Sequence, residues 1–197
     1  MFKVRSIINI ANKSVIVKNH IYEKAKSASL EIENFIPDYS VRWNTSYLML
    51  ERFYKLRTIV NEITLKPELV INLEKVKLEE LRKLVLNDDD WDQISLLIKV
   101  LKPFYKATVM LQGQKYQSLS MSTVVERLLL EYFQNFEFCN ANEYRVANIL
   151  NCYLNKYLVD RISEEQKRIS LVNELYLIIL KFYKIYNFFQ VGILFGP

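Results

Sequence analysis

The sequence predicts a mainly α protein, an irregular assembly of several helices, and three observations carry that reading. Apolar residues recur at intervals of three and four almost throughout, no stretch alternates with period two, and the 197 residues include only 3 glycines and 4 prolines. Residues three and four apart lie above one another on an α-helix, so the first pattern builds an apolar face. A β-sandwich or barrel needs a turn roughly every 8–12 residues, which so few turn-formers cannot supply. The same scarcity excludes a glycine-rich phosphate-binding loop. With 51% hydrophobic and 25% charged residues, the chain can build a sizeable core and is not a disordered polymer.

The first element is a basic, helix-like leader, residues 1–37. Lys3, Arg5, Lys13, Lys18, Lys24 and Lys26 stand against Glu23 alone over residues 1–30, which accounts for the whole net charge of +5. Three readings are open: a phosphate-facing helix, a targeting segment, or a solvated face. Its lysine-rich composition argues against targeting, which favours arginine and serine.

Beyond the leader, Met49, Phe53, Leu56, Val60 and Ile63 step by 4, 3, 4 and 3 and predict one helix, stopped at Lys66-Pro67. A shorter helix is predicted over 73–86. Asn87-Asp88-Asp89-Asp90-Trp91 then opens another. Carboxylates favour the exposed N–H groups of a helix start, and capping is a better reading than a metal site because adjacent helical residues point in different directions. Trp91, Ile94, Ile98, Leu101 and Tyr105 form the following stripe, with Pro103 expected to bend or split it and Gly113 to end it. Ser120 or Ser122 would cap a helix carrying Val125, Leu129, Tyr132 and Phe136, and another carries Val146, Ile149 or Leu150, Tyr153 and Tyr157. Ser163-Glu164-Glu165-Gln166 has capping-box spacing and opens a last helix with Val172, Leu175, Ile179, Phe182 and Tyr186. Most of the 13 tyrosines and 11 phenylalanines belong to these stripes and are expected in the core.

Metal and thiol chemistry find little support. One histidine, His20, and two cysteines, Cys139 and Cys152, are too few and too scattered for a zinc site, and His20 has no recognisable catalytic partner. Both cysteines are expected as buried thiols rather than as a disulfide. The most apolar stretch, over 171–197, is interrupted by Glu174, Lys181 and Lys184, and residues 185–197 are too short to span a membrane. Nor does the N-terminal stretch have the apolar core of a secretory signal.

One motif is specific. Asp38-Tyr39-Ser40-Val41-Arg42-Trp43-Asn44-Thr45-Ser46-Tyr47-Leu48-Met49-Leu50-Glu51-Arg52 resembles the Arg-Trp-Asn box of the hAT superfamily of DNA transposases and their domesticated BED-finger relatives, with the family's Ser-Thr pair transposed as Thr45-Ser46. Leu101-Lys102-Pro103-Phe104-Tyr105-Lys106-Ala107-Thr108 resembles the family's Leu-Lys-Pro-Phe helix, with Trp91 ahead of it, and Lys115-Tyr116-Gln117-Ser118-Leu119-Ser120 the loop that follows. Asn155-Lys156-Tyr157 is a weaker echo of the end of a later helix. The likeness covers roughly residues 4–158 and fails after Tyr157. The chain thus falls into the leader (1–37), a hAT-like helical region (38–160) and a divergent C-terminal helix and tail (161–197).

The resemblance implies a ribonuclease-H-like transposase core, in which an Asp-Asp-Glu triad holds metal ions in active members. On that pattern both aspartates precede the box and the glutamate follows a long helical insertion. The chain begins just upstream of the box and ends before the glutamate region. It is therefore expected to be a non-catalytic, nuclear fragment of the helical insertion plus bordering helices, without metal or cofactor. DNA contacts are expected from Arg42, Trp43 and Asn44 in the box and from Lys3, Arg5, Lys13 and Lys18 in the leader. Two roles stay open for the box: Trp43 stacks on a base with Arg42 on phosphate, or Trp43 anchors a core with Arg42 paired to an acid. Expected partners are DNA, a full-length transposase or another helical protein, and no membrane. The alternative is an α-helical protein–protein interaction module that uses exposed apolar surface. A weaker one is a membrane-surface protein using the basic leader and aromatic C-terminus.

Overall fold

The computed structural model describes residues 1–30, 34–36, 43–112, 119–135 and 141–154. Among these the regular elements are all helical. The chain divides into two compact units, Met1–Ile98 and Lys99–Pro197, with the boundary inside a helix.

In the first unit, α1 (Phe2–Lys13) and α2 (Val15–Ser27) are joined by a single residue, Ser14. Its extended backbone (φ −108°, ψ 110°) breaks the helix, its N–H donates to the Ile10 carbonyl at 3.0 Å, and its Oγ accepts from the Val17 N–H at 3.5 Å. One residue thus closes one helix and caps the next. Val4, Ile7, Ile8 and Ala11 of α1 and Val17, Ile21 and Ala25 of α2 are buried. The leader is therefore part of this unit's core, pinned by ion pairs from Lys3 to Asp90 (2.8 Å) and from Lys24 to Glu62 (2.6 Å).

Met49, Phe53, Leu56, Val60 and Ile63 are all buried, as their spacing predicts. They lie on two helices rather than one: α3 (Trp43–Lys55) and α4 (Arg57–Leu65) are separated at Leu56. Leu56 N–H still donates to Arg52 and Val60 N–H to Leu56, so the apolar face survives the break. Spacing reports faces, not backbone continuity. Lys66 ends α4 and Pro67 opens a 3-10 turn, Pro67–Leu69, where its missing N–H costs nothing. The next helix, α5 (Lys75–Arg82), is shorter than predicted, and Leu84 and Leu86 are buried from the turn and irregular segment that follow it.

The start of α6 (Asp88–Gln112) is a reciprocal cap: Asp90 N–H donates to Asn87 Oδ1 at 2.7 Å, and Asn87 N–H to Asp90 Oδ2 at 3.1 Å. Trp91, one residue further on, is the hub of the first unit. Phe53 stacks on it at 5.5 Å between ring centroids, Tyr54 meets it edge-on at 6.1 Å, and the Arg57 guanidinium lies 5.5 Å over it. Its indole N–H, which burial would otherwise strand, donates to Asn61 Oδ1 at 3.0 Å.

The second unit comprises the rest of α6 with α7 (Leu119–Gln134) and α8 (Ala141–Leu154). Pro103 does not split α6, which runs through it. The buried stripe is Ile94, Leu97, Leu101 and Phe104, while Ile98 and Tyr105 are only half-buried. On α7, Val125 and Leu129 are buried as expected, but Phe133 (5.5 Å from Phe104) completes the stripe and Tyr132 is exposed. Ser120 and Ser122 lie within α7 rather than ahead of it. Among the described residues, α8 buries Ala147 and Glu143, whose carboxylate takes a 3.0 Å bond from Lys99 Nζ; Val146 and Ile149 are half-buried. Cys152 is an exposed free thiol, contrary to the expectation of burial. Gly113, Phe136, Cys139, Tyr157 and the predicted last helix lie outside the described residues.

Candidate nucleic-acid interface

The predicted DNA contacts fall into different environments. Lys3 is committed to the fold: its Nζ donates to the Val85 carbonyl at 3.1 Å and to Asp90 at 2.8 Å, across the helix start that Asp90 caps. Lys24 is likewise spent on Glu62. Arg5, Lys13 and Lys18 are exposed, and Arg5 has an interaction of its own. In the box, Arg42 lies outside the described residues and Trp43 is the first residue of α3. The second, Asn44, has its Oδ1 buried without a hydrogen-bond partner among the described residues. Tyr47, further along the box, is buried and donates its hydroxyl to Glu51 at 2.9 Å.

The structure gathers the exposed lysines with residues that sequence reasoning missed. Lys18, Tyr22 and Lys26 step by four along α2, all exposed, and form a row about 12 Å long at 1.5 Å per residue. Lys13, also exposed, is the last residue of α1, just ahead of Ser14. Beneath the row lies a shallow hollow of about 80 Å³ lined by Asn12, Lys18, Asn19, Tyr22, Asn34 and Leu56 among others, with no carboxylate in its lining. Asn12 Nδ2 donates to the Phe35 carbonyl and Arg52 to the Asn34 carbonyl, so both helices α1 and α3 hold the short segment 34–36 at its edge. Ser14 ahead of Val15-Ile16-Val17 is an N-cap pattern, a local signal for the start of α2 but not for the hollow.

This arrangement suits the outside of a polyanion. The hollow is far below the roughly 300 Å³ of an enclosed small-molecule site. Lysines and amide side chains can meet phosphate oxygens without burying them, and an exposed tyrosine offers a face to a base.

Other titratable groups are accounted for differently. Asp90 is occupied by Asn87 and Lys3, Asp88 is exposed and 3.8 Å from Arg57, and no group of three metal-ligating side chains occurs among the described residues. His20 has its Nε2 buried without a partner among the described residues. On the opposite side of the sequence, the Arg82 guanidinium beside Glu68 holds that carboxyl below its ordinary range. Among the described residues, no helix is long and apolar enough to cross a membrane.

No curated protein and no solved structure matches the chain. A family model does, that of the ZBED1 RNase-like helical domain, over residues 1–100. The matched span takes in α1 to α5, the Arg-Trp-Asn box and the Trp91 hub, and stops just short of the Leu-Lys-Pro-Phe segment that begins at Leu101. Covering half of the chain, this match establishes that the protein belongs to the ZBED1 RNase-like helical domain family, a hAT-like, transposase-related group.

Proposed function

We propose that the chain is a non-catalytic helical module of a hAT-like transposase system, acts in the nucleus, and holds DNA non-specifically through the surface of α1 and α2. The observation that carries this reading is the exposed row Lys18, Tyr22 and Lys26 on α2, over a hollow whose lining includes Asn12, Asn19 and Asn34 and no carboxylate. The row is the part of the basic leader that the fold leaves available, since Lys3 and Lys24 neutralise acids within the unit.

Binding of this kind is dominated by counterion release, so its logarithm falls linearly with that of salt concentration. The test is a salt titration of the 197-residue chain on a short DNA duplex. Replacing Lys13, Lys18 and Lys26 together by glutamine lowers the slope by about 3, at roughly 0.9 per phosphate contact. An unchanged slope, or no binding at low salt, overturns the reading. Metal-dependent DNA cleavage by the purified chain, abolished by chelation, overturns the non-catalytic part.

A further inference from the structure

The hollow beside α2 has a lining of two kinds. Its floor is apolar and is formed by Ile21, Ala25, Phe35 and Leu56, all buried. Its rim is polar: Asn12, Asn19 and Asn34 are exposed, and Lys18 stands at the edge. The Asn12 amide nitrogen donates to the Phe35 carbonyl, which leaves its Oδ1 as an acceptor. Tyr22, 50% exposed, belongs both to this lining and to the row that Lys18 and Lys26 complete.

Phosphate contacts account for the lysines but not for the rest. A phosphate oxygen gains nothing from an apolar floor or from the face of a phenol ring. In a duplex, both faces of each base are covered by its neighbours, and only base edges reach the grooves. An apolar floor, an aromatic ring and amides on the rim together suit a flat heterocycle with hydrogen-bonding edges, which is an unpaired base. Lys18 and Lys26 lie about one helical turn to either side of Tyr22, so the phosphates flanking a base held there each meet a cation.

We infer that this surface prefers single-stranded DNA, with Tyr22 stacked on one unpaired base over the hollow and Lys18 and Lys26 on the flanking phosphates. The inference rests on the DNA-holding role proposed above and names the form of DNA that is held. Electrostatics alone works in the opposite direction, because a duplex carries the denser charge and releases more counterions per contact. A preference for the single strand therefore reports stacking.

Fluorescence anisotropy with the 197-residue chain at one low salt concentration tests it. Three labelled probes are compared: an oligothymidylate of about 12 nucleotides, a plain duplex of equal length, and that duplex with about three unpaired thymidines bulged from one strand. The single strand and the bulged duplex bind at least about fivefold more tightly than the plain duplex. Tyr22→Ala weakens binding of those two at least about fivefold and leaves the plain duplex within about twofold, which shows that the variant is folded. Tyr22→Phe keeps the ring and stays within about twofold of wild type on all three. The inference alone is overturned, and the DNA-holding role stands, if the plain duplex binds as tightly as the single strand or as the bulged duplex. The same holds if Tyr22→Ala leaves the single strand unchanged or weakens all three probes equally. No binding of any probe overturns both.

Discussion

The Tyr132 hydroxyl donates to the Lys99 carbonyl at 3.3 Å, and Lys99 is the residue four positions before Pro103. In an α-helix that carbonyl would accept the N–H of residue 103, which proline lacks. A side chain of α7 thus supplies the bond that the proline of α6 withholds, and this explains how α6 continues through a residue expected to interrupt it.

The two substitutions should therefore be coupled. Tyr132→Phe alone lowers stability by about 0.5–1 kcal/mol, toward the lower end for a half-exposed bond. Pro103→Ala restores the backbone N–H and raises stability by about 1–3 kcal/mol, below the full interior-proline penalty. In the Pro103→Ala background, Tyr132→Phe costs close to nothing. Urea midpoints of the four proteins form the cycle that measures this, and additive effects would contradict it.

The same phenol gives a pH signature. Burial raises the Tyr132 pKa above its ordinary value, with the nearby Lys99 ammonium opposing the shift. A raised folded-state pKa means stability present below the unfolded pKa and lost as pH rises through the folded one. The measured quantity is the stability difference between wild type and Tyr132→Phe from about pH 8 to 11, which isolates this phenol. It shrinks at the alkaline end.

At the start of α6, Asn87 and Asp90 each bond the other's backbone N–H. Asn87→Ala removes one of the two caps and costs about 1 kcal/mol in a denaturation experiment. Lys3→Gln removes a partner of Asp90 and lowers stability by less than about 1 kcal/mol, since the pair is part-exposed. Its DNA salt slope stays at the wild-type value, in contrast to that of the Lys13, Lys18 and Lys26 replacement.

Asn44 lies in the first turn of α3 with a buried acceptor that finds no donor among the described residues. An unsatisfied buried polar atom is a cost, and alanine is the better helix former. Asn44→Ala is accordingly expected to raise stability by about 0.5–2 kcal/mol, read from its urea midpoint. A fall in the midpoint would show that Asn44 contributes a contact worth more than its desolvation.

Features encoded within a few residues were legible in the sequence. The Asn87 cap, the Lys66-Pro67 stop and the buried face from Met49 to Ile63 each follow from chemistry confined to one or two turns. On α6, Trp91, Ile94 and Leu101 are buried as their spacing predicts, but Ile98 and Tyr105 are not, because Leu96, Leu97, Ile98, Val100, Leu101, Phe104 and Tyr105 spread apolar groups over about 200° of the helix. Periodicity alone does not choose between Ile98 and Leu97, or between Tyr105 and Phe104; packing does. The basic leader was visible as a charge excess, but which lysines it offers to solvent depends on Asp90, 87 residues from Lys3, and on Glu62, 38 from Lys24. The hollow needed Asn34 brought against α1 and α3, which no local pattern announces.

Ser14 carries a consequence for how this chain can change in length. Turns between helices ordinarily accept insertions and deletions. Here the linker is one residue, and each residue added or removed would rotate α2 by about 100° relative to α1. Val17, Ile21 and Ala25 would swing away from the core either way, with Lys18, Tyr22 and Lys26 taking their places on a deletion and Ile16, His20 and Lys24 on an insertion. The α1–α2 junction is therefore expected to tolerate substitution far better than any shift of reading length, and a one-residue insertion there should be as disruptive as one in mid-helix.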